Sequence, residues 1–202
     1  MPGRWVANPI WKLSLLARNQ PNSALDSPPG LWNVRQRCSP ETLLLAAGGI
    51  ADGRGLAPAL MLGADGVLVG TRLWASAEAL TSKAHTDKAM DVTGVSTIRT
   101  KVLDALRGVP WPREYSFRFL KNKLTEEWAD REIEAFRAFG SLSEKYAQAR
   151  AQNDLDTVAV ACGEAVGLLK DRPTAESIVK SMAAQAADLL RNGGQLKFTS
   201  QS

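Results

Sequence analysis

The sequence predicts an α/β fold, and three observations carry that expectation. Residues 43–74, LLLAAGGIADGRGLAPALMLGADGVLVGTRLW, hold two short, uninterrupted apolar runs, at 43–47 and 67–69. Runs of this length without polar alternation are the pattern of strands covered on both faces in a parallel sheet. Each run ends in a glycine turn, Gly48-Gly49 and Gly70-Thr71, and a helix-length segment lies between them. From Thr125 onward, apolar residues recur at helical spacing.

Residues 1–42 precede this pattern and do not share it. Within the first forty residues, Arg4, Lys12, Arg18, Arg35 and Arg37 face a single acid, Asp26, among prolines and three tryptophans with no sustained period. The segment reads as an irregular or disordered leader, ahead of a transit-peptide reading, and it has no apolar core of signal-peptide length.

The strand at 43–47 is followed by two glycines, which let the backbone turn sharply without a Cβ and leave amide hydrogens to point at an anion. Asp52 is suited to cap a helix with Leu56, Ala59 and Leu60 on one face, and Gly63 is a left-handed stop. Val67, Leu68 and Val69 form the second strand. A right-handed crossover makes the two strands parallel and brings both glycine turns to one rim. Two such turns describe the phosphate site that (β/α)8 barrels build after their last two strands. The segment has no GK[ST] of a nucleotide P-loop, and Gly53, Gly55 and Pro58 do not complete G-x-G-x-x-G.

On these residues the chain resembles a known family. AAGGIADGRGLAPAL followed by GADGVLVGTRLW is similar to the C-terminal barrel segment of the nitronate monooxygenases, also called 2-nitropropane dioxygenases, which are FMN-dependent (β/α)8-barrel oxidoreductases. The similarity continues through STIRTKVLDALRG, FLKNKLTEEW and ACGEAVGLLKD, over roughly residues 43–191. The resemblance implies that backbone at Gly48, Gly49, Leu68, Val69, Gly70 and Thr71 holds the FMN phosphate, with the Thr71 hydroxyl as a further donor. It also implies oxidation of an alkyl nitronate with O2 to a carbonyl compound and nitrite. The family's important histidine comes from an earlier strand, so no catalytic residue is assigned. Pro58 departs from the family pattern, and proline inside a helix implies a later start or a kink.

The remaining elements read as follows. Ser76 is suited to cap a helix with Glu78 in its first turn, and TSKAHTDKAMDVTG reads as a helix end and loop. His85, the one histidine, reads as a solvated surface group. Residues 99–123 carry seven basic residues against Asp104 and Glu114, interleaved with Trp111, Tyr115, Phe117 and Phe119. Such interleaving suits nucleic acid when rings stack on bases, but packed rings with wet cations are the preferred reading. Thr125 is expected to cap a helix with Trp128, Ile133, Phe136 and Phe139 as its apolar positions, stopped by Gly140. Ser141 and Glu144 suggest a capping box for the next. Asp156 is expected to open a third helix with Val158, Cys162, Val166 and Leu169 on one face, where Gly163 and Gly167 permit close approach. Pro173 starts a last helix with Ile178, Val179, Met182, Ala186, Leu189 and Leu190 inward, ended by Gly193.

The resulting expectation is a partial TIM (β/α)8 barrel, its last two β/α units, with a helical C-terminal extension. The domains are a leader at 1–42, the FMN-binding barrel part at 43–123, the helical extension at 124–193 and a mobile tail at 194–202. Such a barrel typically takes about 250 residues, so the chain reads as a truncated or incomplete form. The alternatives are another FMN-barrel oxidoreductase of enoyl reductase type, a noncatalytic helical interaction module, or a gene fragment. A small-molecule substrate and O2 are the expected partners, with no nucleic acid, no membrane and no metal. Cys38 and Cys162 lack metal-ligand spacing and read as unpaired thiols, with the cytoplasm as default compartment.

Overall fold

The computed structural model describes residues 31–112 and 115–193. Most of the expected leader, together with Arg113, Glu114 and the expected mobile tail, lies outside the described residues. The chain divides into two compact units, Met1–Val69 with Glu176–Ser202, and Gly70–Ala175. The boundary expected at residue 123 thus falls inside the second unit. Helices and strands are both present, as the α/β expectation requires.

In the first unit, the end of the expected irregular leader is a helix, α1 (Leu31–Arg37). Arg35 ties it down, its Nε donating to the Gly63 carbonyl and Nη1 to the Thr42 carbonyl, both at 2.9 Å, while Nη2 pairs with Asp65. Strand β1 (Leu45–Ala47) and strand β2 (Gly66–Leu68) pair in parallel, Leu45 opposite Gly66 and Ala47 opposite Leu68. Asp65 prepares that register by accepting the Leu44 amide at 2.7 Å.

Helix α2 (Gly53–Met61) makes the crossover, with Asp52 accepting the Arg54 amide as its cap and Gly63, at φ 92°, terminating the turn beyond it. Pro58 sits inside α2, so the helix does not begin later; the proline costs the Arg54 carbonyl its intrahelical donor. The buried face of α2 is Gly53, Ala57 and Ala59 rather than Leu56 and Leu60. Small residues allow close approach, and Gly53 packs against α9 (Ala175–Asn192). A Cβ on Gly53 would stand 2.5 Å from the Ala186 nitrogen, and its amide donates to Gln185 Oε1 at 2.7 Å.

On α9, Ile178, Met182 and Ala186 are buried, one helical turn apart. Val179, Leu189 and Leu190, expected inward, are exposed. The expectation that both strands are covered on two faces also fails. Leu43 is 71% and Leu68 58% exposed, because among the described residues this sheet has only two strands and little to cover it.

In the second unit, α3 (Thr71–Trp74) follows Gly70 directly. No helix opens at Ser76, which is buried; Glu78 instead accepts the Ala175 amide at the start of α9. The stretch read as a helix end and loop forms helix α4 (Lys83–Met90), capped by Ser82. A pair of strands not anticipated from sequence follows. β3 (Thr97–Arg99) and β4 (Arg118–Leu120) are antiparallel, and α5 (Lys101–Leu106), capped by Thr100, lies between them in sequence.

Asn122 and Thr125 share a capping box at α6 (Lys123–Trp128), in which Thr125 occupies the third helical position rather than the cap. The expected single helix breaks here. α7 (Glu132–Arg137) and α8 (Phe139–Ala151) follow, and the break turns Ala135 inward while Ile133, Phe136 and Phe139 face out. Gly140 lies inside α8, and Ser141 Oγ donates back to the Ala138 carbonyl instead of forming a capping box.

Asp156 does not open a helix. Asp154 folds the chain into a turn by accepting the Asp156 amide and the Thr157 hydroxyl, and Asp156 pairs with Lys88 and Lys123. Val158, Cys162, Val166 and Leu169 are nevertheless all buried, on an extended segment and the 3-10 turn Glu164–Leu168. Gly167 does allow the expected close approach, since a Cβ there would meet the Gly94 nitrogen at 2.7 Å. Phe119 and Leu103 centre one buried cluster, with Leu142 and Tyr146 against them. Leu120, Val160 and Val166 belong to another. Full burial of such side chains stabilises by about 1.5–3 kcal/mol each.

Candidate functional site

The parallel register of β1 and β2 brings their carboxyl ends to one edge of the sheet. Gly48 and Gly49 follow β1 at φ 96° and 77°, a left-handed pair that any Cβ would strain. Both are exposed. Among the described residues, their amides donate to no turn carbonyl and no side chain. Leu68 ends β2 on the same edge, exposed, and Val69 follows half-buried. Four of the six residues expected to hold phosphate therefore gather at this edge. Exposed consecutive amides without a protein acceptor are the donor set an anion takes, so these residues fit the phosphate end of a flavin nucleotide.

Gly70 and Thr71 continue the chain from Val69 and open the second unit. Gly70 is not left-handed, at φ −99°, but it is exposed and a Cβ there would have no neighbour within 4 Å. Thr71 Oγ1 accepts the Gly163 amide at 2.8 Å.

His85, expected to be a solvated group, is half-buried. Its Nδ1 lies against the Ser82 hydroxyl, and burial lowers its pKa, which favours neutral imidazole. The basic and aromatic stretch has its rings engaged with each other. Trp111 stacks on Phe117 at 6.0 Å, and the Arg107 guanidinium lies over Phe117 and Phe119 at 5.7 and 5.4 Å.

Asp104, buried on α5, escaped sequence reasoning because it sits among basic residues. It accepts the Phe117 amide at 2.8 Å and Trp111 Nε1 at 3.2 Å, and burial raises its pKa. Cys38 and Cys162 are both free thiols, and burial pushes Cys162 up to about 12. Among the described residues, no cluster of three or more His, Cys, Asp and Glu is placed to hold a metal, and no helix is long and apolar enough to cross a membrane.

A family model described as nitronate monooxygenase matches residues 40–185. The chain is 39% identical over 155 residues to "Nitronate monooxygenase npaC" of Metarhizium robertsii, a span of 73% of this chain and 42% of that one. It is 30% identical over 154 residues to the nitronate monooxygenase of Neurospora crassa, covering 75% and 39%. The chain thus spans about two fifths of the length of these curated relatives. Among solved structures it is similar to FabK from Thermotoga maritima, at TM-score 0.65 and 25% identity, covering 82% of this chain and 50% of that one. It also shares the fold of a nitroalkane oxidase from Streptomyces ansochromogenes, at TM-score 0.61 and 23% identity, covering 81% and 44%.

Proposed function

Because this chain belongs to the nitronate monooxygenase family, we propose that it is the phosphate-anchoring part of an FMN-dependent oxidoreductase that converts an alkyl nitronate and O2 to a carbonyl compound and nitrite. On this reading the fold is a partial (β/α)8 barrel, residues 43–123, carrying its last two β/α units. The helical extension is 124–193.

The observation that carries the proposal is the parallel pairing of β1 and β2 with two exposed left-handed glycines directly after β1. Bound FMN supplies the redox chemistry. In the first unit the amides of Gly48 and Gly49 would hold its phosphate, with backbone at Leu68 and Val69 as the adjoining edge. No residue of this chain is assigned to proton transfer, since neutral His85 is engaged with Ser82. The substrate is a small molecule, and neither nucleic acid nor membrane belongs to this reading.

A phosphate anchor without the remaining wall of the flavin site binds FMN weakly. The purified chain is expected to carry little flavin and to show negligible nitronate oxidation, measured by absorbance near the flavin band and by nitrite release. Yellow protein with stoichiometric flavin and turnover would contradict the incomplete-site reading. The likeness to FabK favours a second reading, another flavin-barrel oxidoreductase. NAD(P)H oxidation where nitronates fail would select it.

A further inference from the structure

Strands of three residues share few ladder bonds, and apolar runs without alternation, as in β1 and β2, do not by themselves fix which residue faces which. In the first unit the register of this pair is set from its amino end. Asp65, the residue before β2, donates its amide to the Leu44 carbonyl at 2.8 Å, and its Oδ2 accepts the Leu44 amide at 2.7 Å. Leu44 precedes β1 and is buried, so its amide needs an acceptor from the chain.

The same Oδ2 is held by Arg35 Nη2 at 2.5 Å. The rest of the guanidinium spans both strand entries. Its Nη1 donates to the Thr42 carbonyl ahead of β1 and its Nε to the Gly63 carbonyl ahead of β2, both at 2.9 Å. A planar fork fixes its acceptors relative to one another, so one side chain of α1 spaces the start of β1 against the start of β2. The Leu44 amide above all, and then Arg35, keep the Asp65 carboxyl below the usual range and thus ionised for this role.

The far ends of the same strands carry the candidate anion edge. Ala47 lies opposite Leu68, so Gly48 and Val69 leave the ladder at one level. A slip of one residue would move Gly48 and Gly49 by about 3.3 Å along β2, whereas hydrogen-bond lengths vary only over roughly 2.7–3.2 Å. We propose that Arg35 is a positioning residue for cofactor binding: by joining Thr42, Gly63 and Asp65 it fixes the register of β1 and β2, and with it the place of the Gly48 and Gly49 amides that receive the flavin phosphate. The proposal rests on the flavin-phosphate reading and extends it to a helix outside the family-matched residues 40–185.

The test titrates FMN and riboflavin, which lacks the phosphate, against the parent chain, Arg35→Ala, Arg35→Lys, Asp65→Ala and the double Arg35→Ala/Asp65→Ala. Flavin fluorescence reads binding and circular dichroism checks the fold. The parent decides the underlying reading: equal affinity for the two flavins overturns that reading and this inference together. Given a preference for FMN, Arg35→Ala is expected to weaken FMN about tenfold, the scale of one hydrogen bond to a charged acceptor, with riboflavin unaffected. The double variant should lose little more than Asp65→Ala, because both residues act through one link.

Parent-like FMN binding by Arg35→Ala, or equal weakening of both flavins, overturns the inference while leaving the phosphate reading intact. Should Arg35→Ala fail to fold, Arg35→Lys decides. A point charge can hold Asp65 but cannot reproduce the three-way fork, so the preference for FMN is expected to fall about threefold, and an unchanged preference refutes the link.

Discussion

Replacing Gly53 by alanine tests how the first unit is held together. In the structure the added Cβ falls 2.5 Å from the Ala186 nitrogen and 2.6 Å from Gln185 Cβ, where ordinary contact begins near 3.4 Å, so α2 and α9 must separate by close to an ångström. Forcing such a contact costs about 1–3 kcal/mol. The displacement also stretches the 2.7 Å bond from the Gly53 amide to Gln185 Oε1, worth about 1 kcal/mol. Alanine returns at most about 1 kcal/mol in helix propensity. The net expectation is a loss of about 1–3 kcal/mol, a fall in Tm of roughly 3–10 °C for a chain of this size. Thermal unfolding followed by circular dichroism measures it, with Gln185→Ala as the control that removes only the hydrogen bond. A Gly53→Ala protein as stable as the parent, or more so, would refute the claim that α2 and α9 meet through this glycine.

Other perturbations have outcomes that follow from the same coordinates. Asn122→Ala removes the α6 cap and the amide that bridges the Thr157 and Val158 carbonyls at 3.0 and 3.2 Å, so a loss of about 2–4 kcal/mol in urea denaturation is expected; a loss below about 0.5 kcal/mol contradicts this. Asp104 has a pKa raised by burial, so its contribution to stability is present below the ordinary carboxylate range and is lost as pH rises through the raised folded value. The stability difference between parent and Asp104→Asn should therefore move in the parent's favour between about pH 7 and about pH 4, and a pH-independent difference rejects that assignment. Buried Cys162, its thiol pushed up to about 12, should resist a thiol reagent at neutral pH until the protein is unfolded, while partly exposed Cys38 reacts at once; two fast thiols would show that the second unit is open.

The part of the fold legible in the sequence was the part written in local signals. The apolar runs flanking Gly48 and Gly70, the Asp52 cap and the Gly63 stop led directly to the parallel pair and its crossover, because each acts within a few residues of itself. The left-handed turn at Gly48 and Gly49 was legible for the same reason, two adjacent glycines after a strand.

What stayed hidden depended on distant partners. Leu68 reads as buried from its neighbours alone, yet exposure is decided by how many strands and helices surround it. Val158, Cys162, Val166 and Leu169 were rightly placed inside on the wrong backbone. Spacing of three and four residues suits a helix, while the Asp154 turn and the close contact of Gly167 with Gly94 hold the segment in another form. Strands β3 and β4 are three residues each and separated by a helix and a loop, too short for a period to declare itself. The Gly163–Thr71 bond joins residues 92 apart and has no local trace.

The central claim is that the amides following β1 receive a phosphate, and the ratio of riboflavin to FMN dissociation constants in Gly49→Ala and in the parent tests it most directly. The account predicts a ratio well above one in the parent and near one in the variant, where a Cβ at φ 77° strains the turn and misdirects its amides. A parent that binds both flavins alike, or a variant that keeps the parent's preference, would contradict it.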